Sequence, residues 1–300
     1  MTMASERPLL SKVKSKMFLH ARRRVLHMLD GQYSSHLRGR SMDFDDLREY
    51  VPGDEIKDID WKASARTGQP LVKRYVAERR HRVLFAVDGG RNMAALSASG
   101  EPKREVLVSA LGILGYLAIR HGDEVGLVTG SSDGIRQLPF RSTSSALERM
   151  LHAVYDGVGL GTATSDMNAI LERVRLTVRH RALLVVIADE FDWDEERAAL
   201  VRRLAAQHEI VWLQITDAEP HLRGRRGELA FDVEGNWAMP SLFGGDRLLE
   251  REFEYAEQKR TIEMEQTFEA NAVSYAEVAS EQQVAPVLLA LLKARANVRR

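Results

Sequence analysis

The 300-residue chain contains no cysteine, and Phe, Trp and Tyr together make up only 7% of it. Without cysteine there is no disulfide framework, no thiolate metal site, no Cys nucleophile and no redox motif. A chain of this length buries roughly three quarters of its unfolded surface, so it needs no such staple. Net charge is lacking as well: 43 Lys and Arg stand against 43 Asp and Glu. That balance argues against a protein whose main task is to coat nucleic acid, and the basic clusters at 20–24, 79–82 and 223–226 read as solvated faces. Long apolar runs are absent too. The longest strongly apolar stretch, residues 106–119, falls short of the about 20 residues a spanning helix needs. Lys and Arg interrupt the apolar residues of 7–26, which therefore lack a signal-peptide core. The expectation is a cytoplasmic protein with no transmembrane segment, whose basic amphipathic N-terminal helix is free to lie against a membrane or a partner.

What is present is a strong alternation. From residue 83 onward, continuous apolar runs at 83–87, 125–128, 182–188 and 210–215 take turns with helical patterns at 105–121, 145–155, 166–180 and 194–207. Uninterrupted apolar strands are what a sheet covered on both faces requires, and strand–helix alternation implies right-handed crossovers. Residues 131–134 read as a turn into an extra antiparallel strand at 135–140. The fold class is therefore α/β, a doubly wound, mostly parallel, Rossmann-like sheet. A polar, irregular N-terminal segment (1–82) precedes this core (83–217). A C-terminal extension (218–300) follows, with a Gly/Arg-rich connector at 222–228, a small strand pair at 228–238, a charged helix at 247–272 and a second helix at 284–296.

In open parallel sheets ligands bind beyond the carboxyl ends of the strands. Three strands end in aspartate there, at Asp88, Asp189 and Asp217. Competing enzyme motifs fail on context. Gly130-Ser-Ser132-Asp-Gly134 matches a nucleophile elbow, but that motif needs a helix after the serine, whereas 135–140 reads as a strand. No G-x-x-x-x-G-K-[ST] loop is present, so no nucleotide cofactor is expected. Gly157-Val-Gly-Leu-Gly161 follows a helix, which disqualifies it as a dinucleotide fingerprint. Asp54, Asp60 and Lys62 superficially match the D…D-x-K core of a metal-dependent nuclease, which stands as the enzyme alternative.

Asp88-Gly-Gly90-Arg-Asn92-Met, then the Gly-Thr loop 157–166, then Asp189 resemble the von Willebrand factor A domain and its metal-ion-dependent adhesion site. That resemblance assigns a magnesium ion to Asp88, Asn92, Thr162 and Asp189, with one position left for a partner's carboxylate. Hard oxygen ligands suit Mg²⁺. Gly90 stands where the family has a serine, which removes one hydroxyl, so the site is expected with or without magnesium. Thr164 competes with Thr162, although Thr164 and Ser165 are also natural N-caps for the following helix.

A second resemblance lies in residues 39–66. Phe44, Leu47, Arg48, Tyr50, Gly53, Asp54, Ile59, Asp60, Trp61, Ser64, Ala65 and Arg66 match the signature of the bacterial domain-of-unknown-function family 58, which precedes a von Willebrand A-like core. The resemblance implies a non-enzymatic, soluble partner of MoxR-type AAA+ ATPases in chaperone-like assembly or maturation. Physically, Arg48, Glu49, Asp54, Asp58, Asp60, Lys62 and Arg66 are expected to form a polar Arg–carboxylate clamp, with Tyr50 and Trp61 as anchors against the sheet.

Overall fold

The structure, a computed structural model, describes residues 8–20, 23–38, 44–75, 80–189, 193–218, 231–233, 237–238 and 247–298. The connector at 222–228 and the first five signature positions, 39–43, lie outside the described residues.

The sheet is built from β3 (Arg82–Asp88), β4 (Glu124–Ser131), β5 (Gly134–Arg141), β6 (Leu183–Asp189), β7 (Glu209–Ile215) and β10 (Ser274–Val278). Its order is β10-β7-β6-β3-β4-β5, parallel except for β5, which turns back beside β4. This is a doubly wound order, and it reverses direction between β3 and β6. The continuous apolar runs follow from the two-residue strand period. Val83, Phe85 and Val87 enter one core together with Val185 and Ile187, while Leu84 and Ala86 enter the other with Leu184 and Val186.

On the first face lies α4 (Lys103–Arg120), which is apolar all round because the sheet covers one side and other helices the rest. Those helices are α1 (Leu9–His20), α2 (Arg23–Arg38), α5 (Ser144–Tyr155) and α9 (Glu281–Val298). On the second face lie α6 (Met167–Thr177), α7 (Glu195–Gln207) and the C-terminal half of α8 (Arg247–Ala270), where Phe268 packs among Trp193, Trp212 and Tyr275.

Three expectations change. The apolar face of α1 does not wait for a membrane: Leu9, Leu10, Val13 and Met17 are buried in the first core. A Cβ at Gly112 of α4 would come 2.7 Å from Val13 Cγ1, so the glycine lets α1 approach. The sheet also extends past residue 217, since its sixth strand comes from 274–278. Third, the N-terminal segment is not irregular throughout. β1 (Phe44–Glu49) and β2 (Leu71–Tyr75) form an antiparallel ribbon that encloses α3 (Trp61–Thr67). In the C-terminal part, β8 (Phe231–Asp232) pairs with β9 (Trp237–Ala238). Among the described residues no helix is long and apolar enough to cross a membrane.

Candidate functional site

Strands β3 and β6 flank the point where the sheet order reverses, and both end in a buried aspartate at the carboxyl edge. Asp88 is 3% exposed. Gly90 N donates to its Oδ1 at 2.8 Å, Asn92 Nδ2 to its Oδ2 at 3.4 Å, and Ser165 Oγ reaches both oxygens at 2.7 and 2.8 Å. Burial raises the Asp88 carboxyl above its ordinary value; these three donors and the nearby charge of Lys103 work against that rise. Asn92 Oδ1 accepts from Met93 N at 3.0 Å and also meets Ser165 Oγ.

The loop before α6 is tied to the turn after β3. Arg91 N donates to Ala163 O at 3.0 Å and Arg91 Nε to Thr162 O at 2.9 Å. Ser165 thus comes to stand over Asp88, in the place the resemblance gave to Thr162. Thr162 itself turns inward on its own loop, where its hydroxyl donates to Gly157 O and accepts from Gly159 N, each at 3.1 Å. Thr164, in the loop before α6, pairs with Ser132 of the β4–β5 turn at 3.1 Å. Neither Thr164 nor Ser165 caps α6. Asp166 does, through Ala169 N. Gly90 has a steric reason: a Cβ there would lie 2.2 Å from Ser165 Oγ, so a serine at 90 and Ser165 in its present place exclude one another.

Asp189 faces a different partner. Lys103, from the first turn of α4, is fully buried, and its Nζ bonds Asp189 Oδ1 at 2.6 Å and pairs with Asp217. Nothing in the sequence marked Lys103, which looks like an ordinary charged residue at a helix start. The fold brings Asp88, Asn92, Ser165 and Arg91 together, with Asp189, Lys103 and Asp217 alongside.

As arranged here, these residues do not fit a magnesium ion. The oxygens it would use already accept protein hydrogens: Asp88 from Gly90, Asn92 and Ser165, Asn92 Oδ1 from Met93, and Asp189 from an ammonium. Among the described residues, no group of three or more His, Cys, Asp or Glu side chains is placed to hold a metal.

The signature residues form a separate, more exposed assembly. Arg48 Nη2 meets Asp54 Oδ1 at 2.6 Å, Val51 N donates to Asp54 Oδ2 at 2.9 Å, and these contacts hold the Asp54 carboxyl below its ordinary range. Asp60 caps α3 through Lys62 N and Ala63 N at 3.1 and 3.0 Å. The Arg48–Asp54 pair closes its own loop and does not reach the sheet. Trp61 is 65% exposed and so does not anchor the segment, while Tyr50 is half-buried and Arg66 exposed.

The model of the family described as "Protein of unknown function DUF58" matches residues 46–232, more than half of the chain. The chain belongs to this DUF58 family. Uncharacterized proteins of Mycobacterium tuberculosis and Mycobacterium bovis are each 23% identical to this DUF58 chain over 214 residues, which is 70% of it and 66% of each relative. It therefore spans slightly under two thirds of their length. Solved structures similar to it include an aerotolerance-related membrane protein from Bacteroides fragilis, at 13% identity and TM-score 0.43, covering 71% of this chain and 99% of that one. The SpRpn10 VWA domain is another, at 11% identity and TM-score 0.41, with 72% and 94% covered.

Proposed function

We propose that this DUF58 chain is a non-enzymatic protein-interaction module whose carboxyl-edge cluster receives an acidic side chain of a partner. We further propose that the partner is a MoxR-type AAA+ ATPase, with which the chain serves chaperone-like assembly or maturation. One observation carries the site. Asp88 is kept as a buried acid at the switch point of the sheet, although burial raises its pKa and so opposes folding with the group charged. A titratable group maintained against its solvation, where doubly wound sheets bind ligands, is a functional candidate. Arg91, braced by Thr162 O, supplies a guanidinium suited to a carboxylate, and the hydroxyls of Ser132 and Thr164 lie along the same rim. The ATPase rests on family resemblance alone. The nuclease alternative has less support: Asp54 is held by Arg48, Asp60 caps α3, and Lys62 is exposed.

The test is direct binding between the purified full chain and the MoxR-type ATPase of the same genome, read by biolayer interferometry with ATP, with ADP and without nucleotide. Binding is expected, weakened at least about tenfold by Arg91→Ala and by Ser165→Ala, equivalent to about 1.4 kcal/mol. No binding in any nucleotide state removes the ATPase from the proposal. Binding indifferent to both substitutions removes the site.

A further inference from the structure

The resemblance placed a divalent cation in this cluster, and the geometry offers a different source of positive charge. Lys103 is the most deeply buried cationic side chain of the centre, with none of its residue surface exposed. An ammonium so placed is tolerated only when carboxylates compensate it. Two do: Asp189 from the end of β6 at 2.6 Å, and Asp217 from just after β7. Its location follows from the fold. The turn after β3 leads through residues 89–102 into α4, whose first residue is Lys103, so the side chain starts at the carboxyl edge of the sheet. Lys103 N is tied to Ala95 O at 3.0 Å, and Asp217 sits in a short backbone bridge with Ser97. The same short connection thus positions both the lysine and one of its carboxylates.

We infer that Lys103 is the cation of this centre: its ammonium takes over the charge that magnesium would supply, and the centre is metal-independent. Three independent features agree. Ser165 fills the space that a metal-ligating serine at 90 would need. Each oxygen of the Asp88–Asn92 pair has a protein donor. The carboxylate expected to help hold the metal, Asp189, is bonded to the ammonium. A divalent ion beside an ammonium in a water-poor site would meet repulsion that solvent screens poorly. The inference concerns the centre itself and holds whichever partner binds there.

The test uses the full chain. Wild type is titrated with Mn²⁺ and followed by the electron paramagnetic resonance of the free ion, and thermal unfolding is recorded in Mg²⁺, in Mn²⁺ and in EDTA. No saturable loss of the free-ion signal is expected at millimolar Mn²⁺, and the melting temperature should be the same in all three. Lys103→Met removes the ammonium that Asp189 and Asp217 share; that variant should melt lower in EDTA and recover with Mn²⁺. One-to-one Mn²⁺ binding by wild type, abolished by Asp88→Ala, overturns the inference. So does a folded Lys103→Met chain whose melting ignores both Mn²⁺ and EDTA. If Lys103→Met does not fold, the wild-type titration decides alone.

Discussion

At the scale of single residues, Asp88 is a carboxyl group that opposes the fold it sits in. Its pKa is raised above the ordinary 3.8, chiefly by burial. A raised carboxyl pKa means that the folded state holds its proton longer than the unfolded chain does. The resulting stability is complete below pH 3.8 and is lost as pH rises through the folded value. At neutral pH the charged group is a net liability. Asn at 88 keeps an acceptor for Gly90 N–H and has no charge to desolvate, so Asp88→Asn should be at least as stable as wild type in urea at pH 7. Its margin should shrink toward pH 4. A loss of more than about 1 kcal/mol at pH 7, the size of an ordinary destabilising substitution, would make Asp88 a structural residue instead. Asp88 and Asp189 were legible in the sequence because an aspartate that ends an apolar strand is conspicuous. The choice among Thr162, Thr164 and Ser165 was not. Three hydroxyls in four positions share one composition, and only the bonds from Arg91 Nε to Thr162 O and from Arg91 N to Ala163 O decide which one turns toward β3. Lys103 was hidden for the opposite reason: its chemistry depends on residues 86 and 114 positions away in the chain.

At the scale of elements, α1 shows how a helix is held by partners from elsewhere. Its first-turn amides have no intrahelical acceptors. Leu9 N and Leu10 N instead donate to the Glu148 carboxylate of α5 at 2.5 and 2.8 Å, and Lys12 and Lys16 pair with Glu105 of α4. A carboxylate at a helix N-terminus both caps it and meets its positive end. Glu148→Ala should therefore cost about 1–2 kcal/mol. Hydrogen exchange should quicken at Leu9, Leu10 and Val13 and stay slow in β3 and β6. Equal acceleration in the central strands would mean that α1 opens only with the whole protein. The central strands were readable because both their faces are covered, and the helices between them because their caps and periods are ordinary. β10 was not readable: Ser274–Val278 is half-exposed with a single buried residue, the profile of an edge strand. The ribbon of β1 and β2 was equally obscure, since charged residues interrupt it and no apolar alternation marks it.

At the scale of the molecule, that edge strand decides where the folding unit ends. A chain stopped after Asp217 would retain every aspartate of the candidate cluster and both residue ranges singled out from sequence. It would lose β10, which pairs with β7 from Ser274 to Val278, and α9, which packs against α2 and α4. Val278, Val284, Leu288, Leu289, Leu291 and Leu292 all belong to the first core. At roughly 1.5–3 kcal/mol for each large aliphatic side chain buried, their removal rivals the about 5–15 kcal/mol that holds a typical domain together. Arg295 would go too, and with it the bond from its Nη1 to Ile210 O at 2.7 Å and the ion pair with Glu209 at 3.2 Å. The edge of β7 would then lie open to pairing with other chains. A chain ending at 217 is therefore expected to lack a cooperative unfolding transition by circular dichroism and to aggregate, whereas the full chain unfolds with β3 and β10 in one step. A cooperative, monomeric 1–217 fragment would mean that the helices and strand beyond it are an appendage, and that the candidate site needs only the first five strands of the sheet.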